Sequence, residues 1–130
     1  METTGLLPSF LGARAYDREG ARLGHVADVL FDVTTRRPDW LLLVLLRAED
    51  RFVHVPARGA RHRTNGVVLC CDRAQVRSAP TGAAPPFELG RPRALELARH
   101  YGMRGAITGP WEGLAEPAFA LADDRVRLAG

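Results

Sequence analysis

Histidines, an adjacent cysteine pair and a set of aspartates are the residues of this chain that could do chemistry, and their spacing builds no familiar reactive site. His25, His54, His62 and His100 show no Cys-x-x-Cys, His-x-x-x-His or His-Glu-x-x-His pattern, the spacings that bring metal ligands onto one side of a turn or helix. His54 and His62 flank a turn region and form at most one ligand pair. Asp17, Asp28 and Asp32 could cluster near strand ends as an acid–base set. Asp17 and Asp32, however, sit where Asp shapes turns by accepting from its own backbone, and that is the favoured reading. Ser9 and Ser78 lack a Gly-x-Ser-x-Gly setting. Gly12, Gly20 and Gly24 are not preceded by a strand and followed by a helix, as a phosphate loop requires. Neighbours on a strand point to opposite faces, so Cys70 and Cys71 are expected to place one thiol in the core and one outside. No catalytic residue, no metal and no cofactor is expected, and Trp40 and Trp111 read as packing residues.

Charge leaves one candidate surface. All 18 basic residues are arginine, against 15 acids, for a net charge of +3. The excess lies in residues 1–80. Its densest patch is Arg58, Arg61, His62 and Arg63, with no acid between Asp50 and Asp72. Arg58, Arg61 and Arg63 are therefore a candidate surface for an anion or a partner protein. No aromatic residues are interleaved to stack bases, so a solvated loop outweighs a nucleic-acid site.

At 130 residues, with 46% hydrophobic and 25% charged residues, the composition is that of one globular domain able to bury a core without disulfides or metals. No apolar run approaches the roughly 20 residues of a membrane span. The first residues lack a positive stretch followed by a long apolar one, so no secretory signal is read and a cytoplasmic location is expected.

The elements that must position these residues are mostly strands. Turn chemistry at residues 17–20, 34–38 and 48–50 separates strand-like runs at about 13–16, 22–33, 40–46 and 51–56. Gly24 within the second run predicts a bulge or sharp bend. Pro38 lacks an amide proton, so pairing of the third strand is expected from Asp39 onward. That strand carries Leu41, Leu42, Leu43, Val44, Leu45 and Leu46 in succession, which requires both faces to be buried. A small barrel fills only one face, so the other needs a helix or a second subunit. Asn65 followed by Gly66 signals a hairpin leading into a fifth strand at 67–71. Residues 74–80 support no more than a turn or brief strand, and 81–86 have the composition of a linker within a connecting segment at 81–90. Pro92 near the start, Ala94, Leu97, Ala98 and Tyr101 on one face, and Gly102 just beyond predict a helix over 91–101. A hairpin at 119–128 is a weaker expectation within a tail that ends the 91–130 region.

The opening Tyr16, Asp17, Gly20, Leu23, Gly24 and Val26, the run Asp28, Val29, Leu30, Phe31 and Asp32, and the later Arg37, Pro38, Asp39 and Trp40 together resemble the PRC-barrel family. The likeness extends to the Val76–Pro80 ending and covers about residues 11–80. His100, Tyr101 and Gly102 are similar to the segment after the barrel in actinobacterial members. The resemblance implies a mainly β fold, a small barrel of five to six strands with a C-terminal helix and a short tail, used as an interaction module. It brings no shared catalytic set.

Three function classes remain open. The first is a non-enzymatic protein-interaction or adaptor module, self-associating as a homodimer through the strand 41–46 and meeting an unidentified protein partner. The second is an RNA- or ribosome-associated factor using the Arg58–Arg63 patch. The third is a small-molecule or redox sensor using Cys70 and Cys71.

Overall fold

A computed structural model describes residues 10–46, 48–64, 66–81, 89–105 and 108–113, without the side chains of 48–50. The strands are β1 (Arg14–Tyr16), β2 (Arg22–Asp32), β3 (Pro38–Leu45), β4 (Ala48–Pro56), β5 (Arg61–Arg63), β6 (Gly66–Val68) and β7 (Trp111–Gly113). The helices are α1 (Arg73–Arg77) and α2 (Arg91–Tyr101). Among the described residues the strands form one 7-stranded sheet in the order β4-β3-β2-β1-β6-β5, with β7 added on β2. Only the β1–β6 pairing is parallel.

Strand β2 is the axis of the sheet. One edge carries β3; the other carries β1 at its start and β7 at its end. The turns on either side of it are built by aspartates. Asp17 Oδ1 accepts from the amides of Glu19 at 2.9 Å and Ala21 at 2.8 Å. Asp32 Oδ1 accepts from Thr34 at 2.7 Å and Thr35 at 3.0 Å. Both are the turn-forming role expected of them. Gly24 lies beside a register shift between β1 and β2, and a Cβ there would run into the Val44 carbonyl. Bare backbone is what lets β2 and β3 approach at this point.

Strand β3 is the centre of the core. Leu41 and Leu43 pair with Val55 and Val53, and all four are fully buried. Leu42 faces the opposite way beside His54 and is also fully buried. That burial is achieved within the chain; α2 packs against β4, and the Tyr101 hydroxyl donates to the His54 carbonyl at 2.8 Å. Ala94, Leu97 and Ala98 form the buried stripe of the helix, and Gly102 closes it with a left-handed φ of 68°. Burying Leu41, Leu42 and Leu43 contributes about 5–9 kcal/mol as an upper bound, comparable to the whole net stability of a domain. The cover thins toward the end of β3, where Val44 is half-buried and Leu46 is 44% exposed.

Several expectations are corrected. The sheet is not closed: its ends, β4 and β5, are not paired. Helix α1 stands beside β4 instead, with Val76 fully buried and Arg51 of β4 donating to the Arg77 carbonyl at 2.6 Å. Residues 73–77 are thus helical rather than a turn or brief strand. Their signal is the capping box in which Asp72 accepts from the Gln75 amide and the Gln75 side chain accepts from the Asp72 amide. Pairing of β3 begins at Pro38, whose carbonyl can still accept without the amide proton, and a register shift falls at that point. Residues 48–50 belong to β4 rather than to a turn. The fifth strand at 67–71 resolves into β6, ending at Val68, with β5 as its hairpin partner. Cys70 and Cys71 therefore lie beyond the strand, although one is exposed and the other buried. Residues 82–88 of the 81–90 linker and the hairpin at 119–128 lie outside the described residues.

Strand β7 is held by a second use of Asp32. Its Oδ2 accepts from the Thr108 hydroxyl and from the Gly109 amide at 2.8 Å. Burial alone would raise the pKa of Asp32, but the Thr108 hydroxyl and the amides of Thr35, Gly109 and Thr34 outweigh it and bring it down to about 2. A carboxyl whose folded pKa lies below its ordinary 3.8 contributes full stability above about pH 4 and loses it as pH falls through about 2. Asp32→Asn is expected to lower the melting temperature near neutral pH by roughly 5–10 °C. That deficit should shrink toward zero at about pH 2, as followed by circular dichroism melts across the acid range. A deficit constant with pH would show that the charge of Asp32 is not what matters.

Candidate functional site

Four separate stretches meet at one end of the sheet. Arg22 and Leu23 open β2, Leu45 closes β3 with Leu46 in the turn after it, Arg51 lies on β4, and Arg73 and Arg77 project from α1. Together they line a cavity of about 430 Å³, a mouth with a leucine floor and an arginine rim. Leu23 and Leu45 are buried core residues, while Leu46 stands at the lip.

The rim is partly preorganised. Arg51 is tied to the Arg77 carbonyl, and Arg22 Nε donates to the Gly24 carbonyl at 3.1 Å. Arg73 and Arg77 are one helical turn apart and share a face of α1. Arg77 in the last turn suits the helix dipole; Arg73 in the first turn does not, and the two repel one another. Among the described residues none of the four guanidiniums pairs with a carboxylate; the ion pairs are Arg18 with Asp72, Arg58 with Asp39, and Arg93 with Glu96. A concave surface lined by one sign of charge over an apolar floor focuses the field and attracts anions. Chemically it can hold carboxylates or phosphates by guanidinium forks and shield an apolar group, with no nucleophile among the described residues that line it.

The sequence-predicted residues fall elsewhere. Arg58 makes a 3.7 Å ion pair with Asp39 and donates to the Arg104 carbonyl at 3.0 Å, fastening the loop after α2. Arg61 and Arg63 lie exposed on the edge strand β5. The Arg63 guanidinium sits 4.6 Å above the Tyr16 ring, and His62 lies against Phe10. The patch is thus divided among different partners. Of the strand 41–46, Leu45 and Leu46 reach the mouth, while Leu41, Leu42 and Leu43 are wholly internal.

The remaining polar residues are structural in their contacts. His100 Nε2 donates to the Gln75 carbonyl at 2.7 Å, joining α2 to α1. Burial pushes the Cys71 thiol up to about 12, which removes its thiolate at ordinary pH. Cys70 is exposed, with its sulfur packed against Gly59, whose φ is +76°. Among the described residues no group of three His, Cys, Asp or Glu side chains could hold a metal ion. No helix among them is long and apolar enough to cross a membrane.

Charge counting along the chain misses the mouth because its arginines are scattered from residue 22 to residue 77. The usable signal was the Asp72-x-x-Gln75 capping box, which would have placed Arg73 and Arg77 on one helical face.

No curated protein matches the chain. The PRC-barrel domain profile matches residues 3–72, which span β1 to β6 and the Asp17 and Asp32 turns. With over half of its length matched, the chain belongs to the PRC-barrel domain family.

Proposed function

We propose that the protein is a non-enzymatic interaction module of the cytoplasm whose partner protein docks at the arginine-rimmed mouth. PRC-barrel domains are small, generally non-catalytic domains that often serve protein interaction. The observation that carries the reading is the set of four arginines, none paired with a carboxylate among the described residues, around Leu46, a large apolar side chain left 44% exposed. Arginine is enriched at binding interfaces, and a rim of like charges is relieved when a partner supplies the opposite sign. An exposed Cys70 thiol suits a reducing compartment.

Self-association through the end of β3 is the second reading, favoured by the same exposed Leu46 and by half-buried Val44. It faces two costs. A two-fold pairing would bring two arginine rims together, and one leucine with one valine falls well short of the roughly 800 Å² per partner of a specific interface.

Partner capture, sedimentation and RNA binding test this reading against its rivals. The chain has no lysine, so amine-directed cross-linking is blind to its side chains. A photo-activatable residue replacing Leu46 should capture a partner during native purification, and one replacing Arg61 should not. Leu46→Glu should lose that partner at least tenfold with its circular dichroism spectrum unchanged. Capture at both positions or at neither would remove the mouth as the docking site. By sedimentation velocity at tens of micromolar (on the order of weak-dimer affinities), a dimer that strengthens with salt and disappears in Leu46→Glu would establish the second reading; a monomer retires it. Finally, the Arg61 and Arg63 edge should bind single-stranded RNA no better at physiological salt than its Gln double variant in a filter-binding assay. Tight binding lost in that variant would instead favour an RNA-associated factor.

A further inference from the structure

We infer that the mouth recognises an acidic peptide segment carrying a single aliphatic anchor, which enters between Leu23, Leu45 and Leu46 while its flanking carboxylates meet the arginine rim. The inference rests on the interaction-module reading above and adds the chemistry of the partner. Charge complementarity selects the acids. Arg22, Arg51, Arg73 and Arg77 surround the opening without a carboxylate among the described lining residues, and guanidinium forks match carboxylates in geometry.

The floor selects the anchor. An inorganic anion held by the rim would leave Leu46 in water and the cavity floor unfilled. A cavity of about 430 Å³ lies near the lower end of small-ligand sites, enough for one aliphatic side chain and its neighbouring backbone. The arginines also come from two opposed walls. Arg51 reaches across to the Arg77 carbonyl from β4, and Arg22 lies on the β2 side, held to Gly24. Acids on both sides of the anchor, rather than a run at one end, fit that arrangement. Arg51 is already immobilised before a ligand arrives, so less side-chain entropy is lost on binding.

The probe is an acetylated, amidated pentapeptide Glu-Asp-Leu-Asp-Glu, compared with the same peptide carrying Gly for Leu and with inorganic phosphate. Binding to the whole chain is followed by isothermal titration calorimetry and by amide shifts in heteronuclear NMR. The leucine peptide should shift Leu23, Leu45, Leu46 and the α1 amides, and bind at least tenfold more tightly than the glycine peptide. Arg73→Gln, an exposed change outside the Arg51 tether, should weaken it severalfold, and Arg51→Gln more. Equal binding of the two peptides would overturn the anchor. Phosphate giving the same shifts at equal affinity would make the mouth a small-anion site and overturn the peptide. No binding up to millimolar concentration, or shifts confined to β5, would overturn the inference entirely. If the Leu46 photo-probe captures a partner while the peptide fails, the docking site stands and only its proposed chemistry falls. If the peptide binds and capture occurs elsewhere, the peptide site stands and the docking reading falls.

Discussion

A carboxylate shared by two segments distant in sequence holds this fold in its final shape. Asp32 accepts hydrogen bonds from the turn after β2 and from Thr108 and Gly109, some 76 residues later. Two nearby contacts continue the attachment: Val33 donates to the Pro110 carbonyl at 3.0 Å, and Trp111 Nε1 donates to Asp39 at 2.9 Å. The strap so fixed becomes β7 on the free edge of β2. Its Gly113 lies so close to buried Asp28 that a Cβ would enter the carboxylate. Arg91 at the start of α2 donates to the Thr108 carbonyl at 2.6 Å, which ties the helix to the same strap. One anchored segment thereby protects a sheet edge and stations the helix that covers β4.

That arrangement answers the demand set by six successive aliphatic residues at 41–46. Their outer face is sealed from within the chain at Leu42, and only the Val44–Leu46 end is left uncovered. The open end coincides with the mouth, where α1 stands beside β4. A five-residue helix is too short to be stable alone, so its capping box, the buried Val76 and the bond from His100 must hold it. Two arginines on one face of so short a helix oppose its formation. Arg18, Arg58 and Arg93 each have an acidic partner at 3.0–3.7 Å, whereas among the described residues no carboxylate pairs with a guanidinium of the rim.

Much of the fold was readable because local chemistry and final structure agree. Asp17 and Asp32 build the turns their side chains favour, Gly24 marks a close backbone approach, and the Pro92 to Gly102 pattern bounds α2 to the residue. Where the reading failed, longer-range contacts decided. β7 is three residues whose partner lies some 80 positions earlier, and no periodicity announces it. Residues 48–50 carry turn-like composition, yet they join β4: Ala48 pairs with Leu45 at the end of β3, across a register shift at Val44/Leu45. Closure fails as well: β4 and β5 end the pairing order without meeting one another. The mouth was the least legible feature. Each of its arginines looks like ordinary surface until four elements are brought together, whereas the dense Arg58–Arg63 run, prominent in sequence, is split by the fold between Asp39 and Tyr16.

The residues that hold the fold and those that rim the mouth are almost entirely separate sets. Asp32 and Asp39 are buried, and each binds the 108–113 strap, Asp32 through Thr108 and Gly109 and Asp39 through Trp111. Arg22, Arg73 and Arg77 are exposed, and their side chains contribute little to the core. Arg51 alone belongs to both, since it braces α1 and also faces the cavity. A domain divided in this way can vary its rim without losing its barrel-like core, because surface substitutions away from buried networks cost little stability. The floor is less free: Leu23 and Leu45 serve the core and the cavity together, which fixes the mouth as apolar whatever the rim becomes.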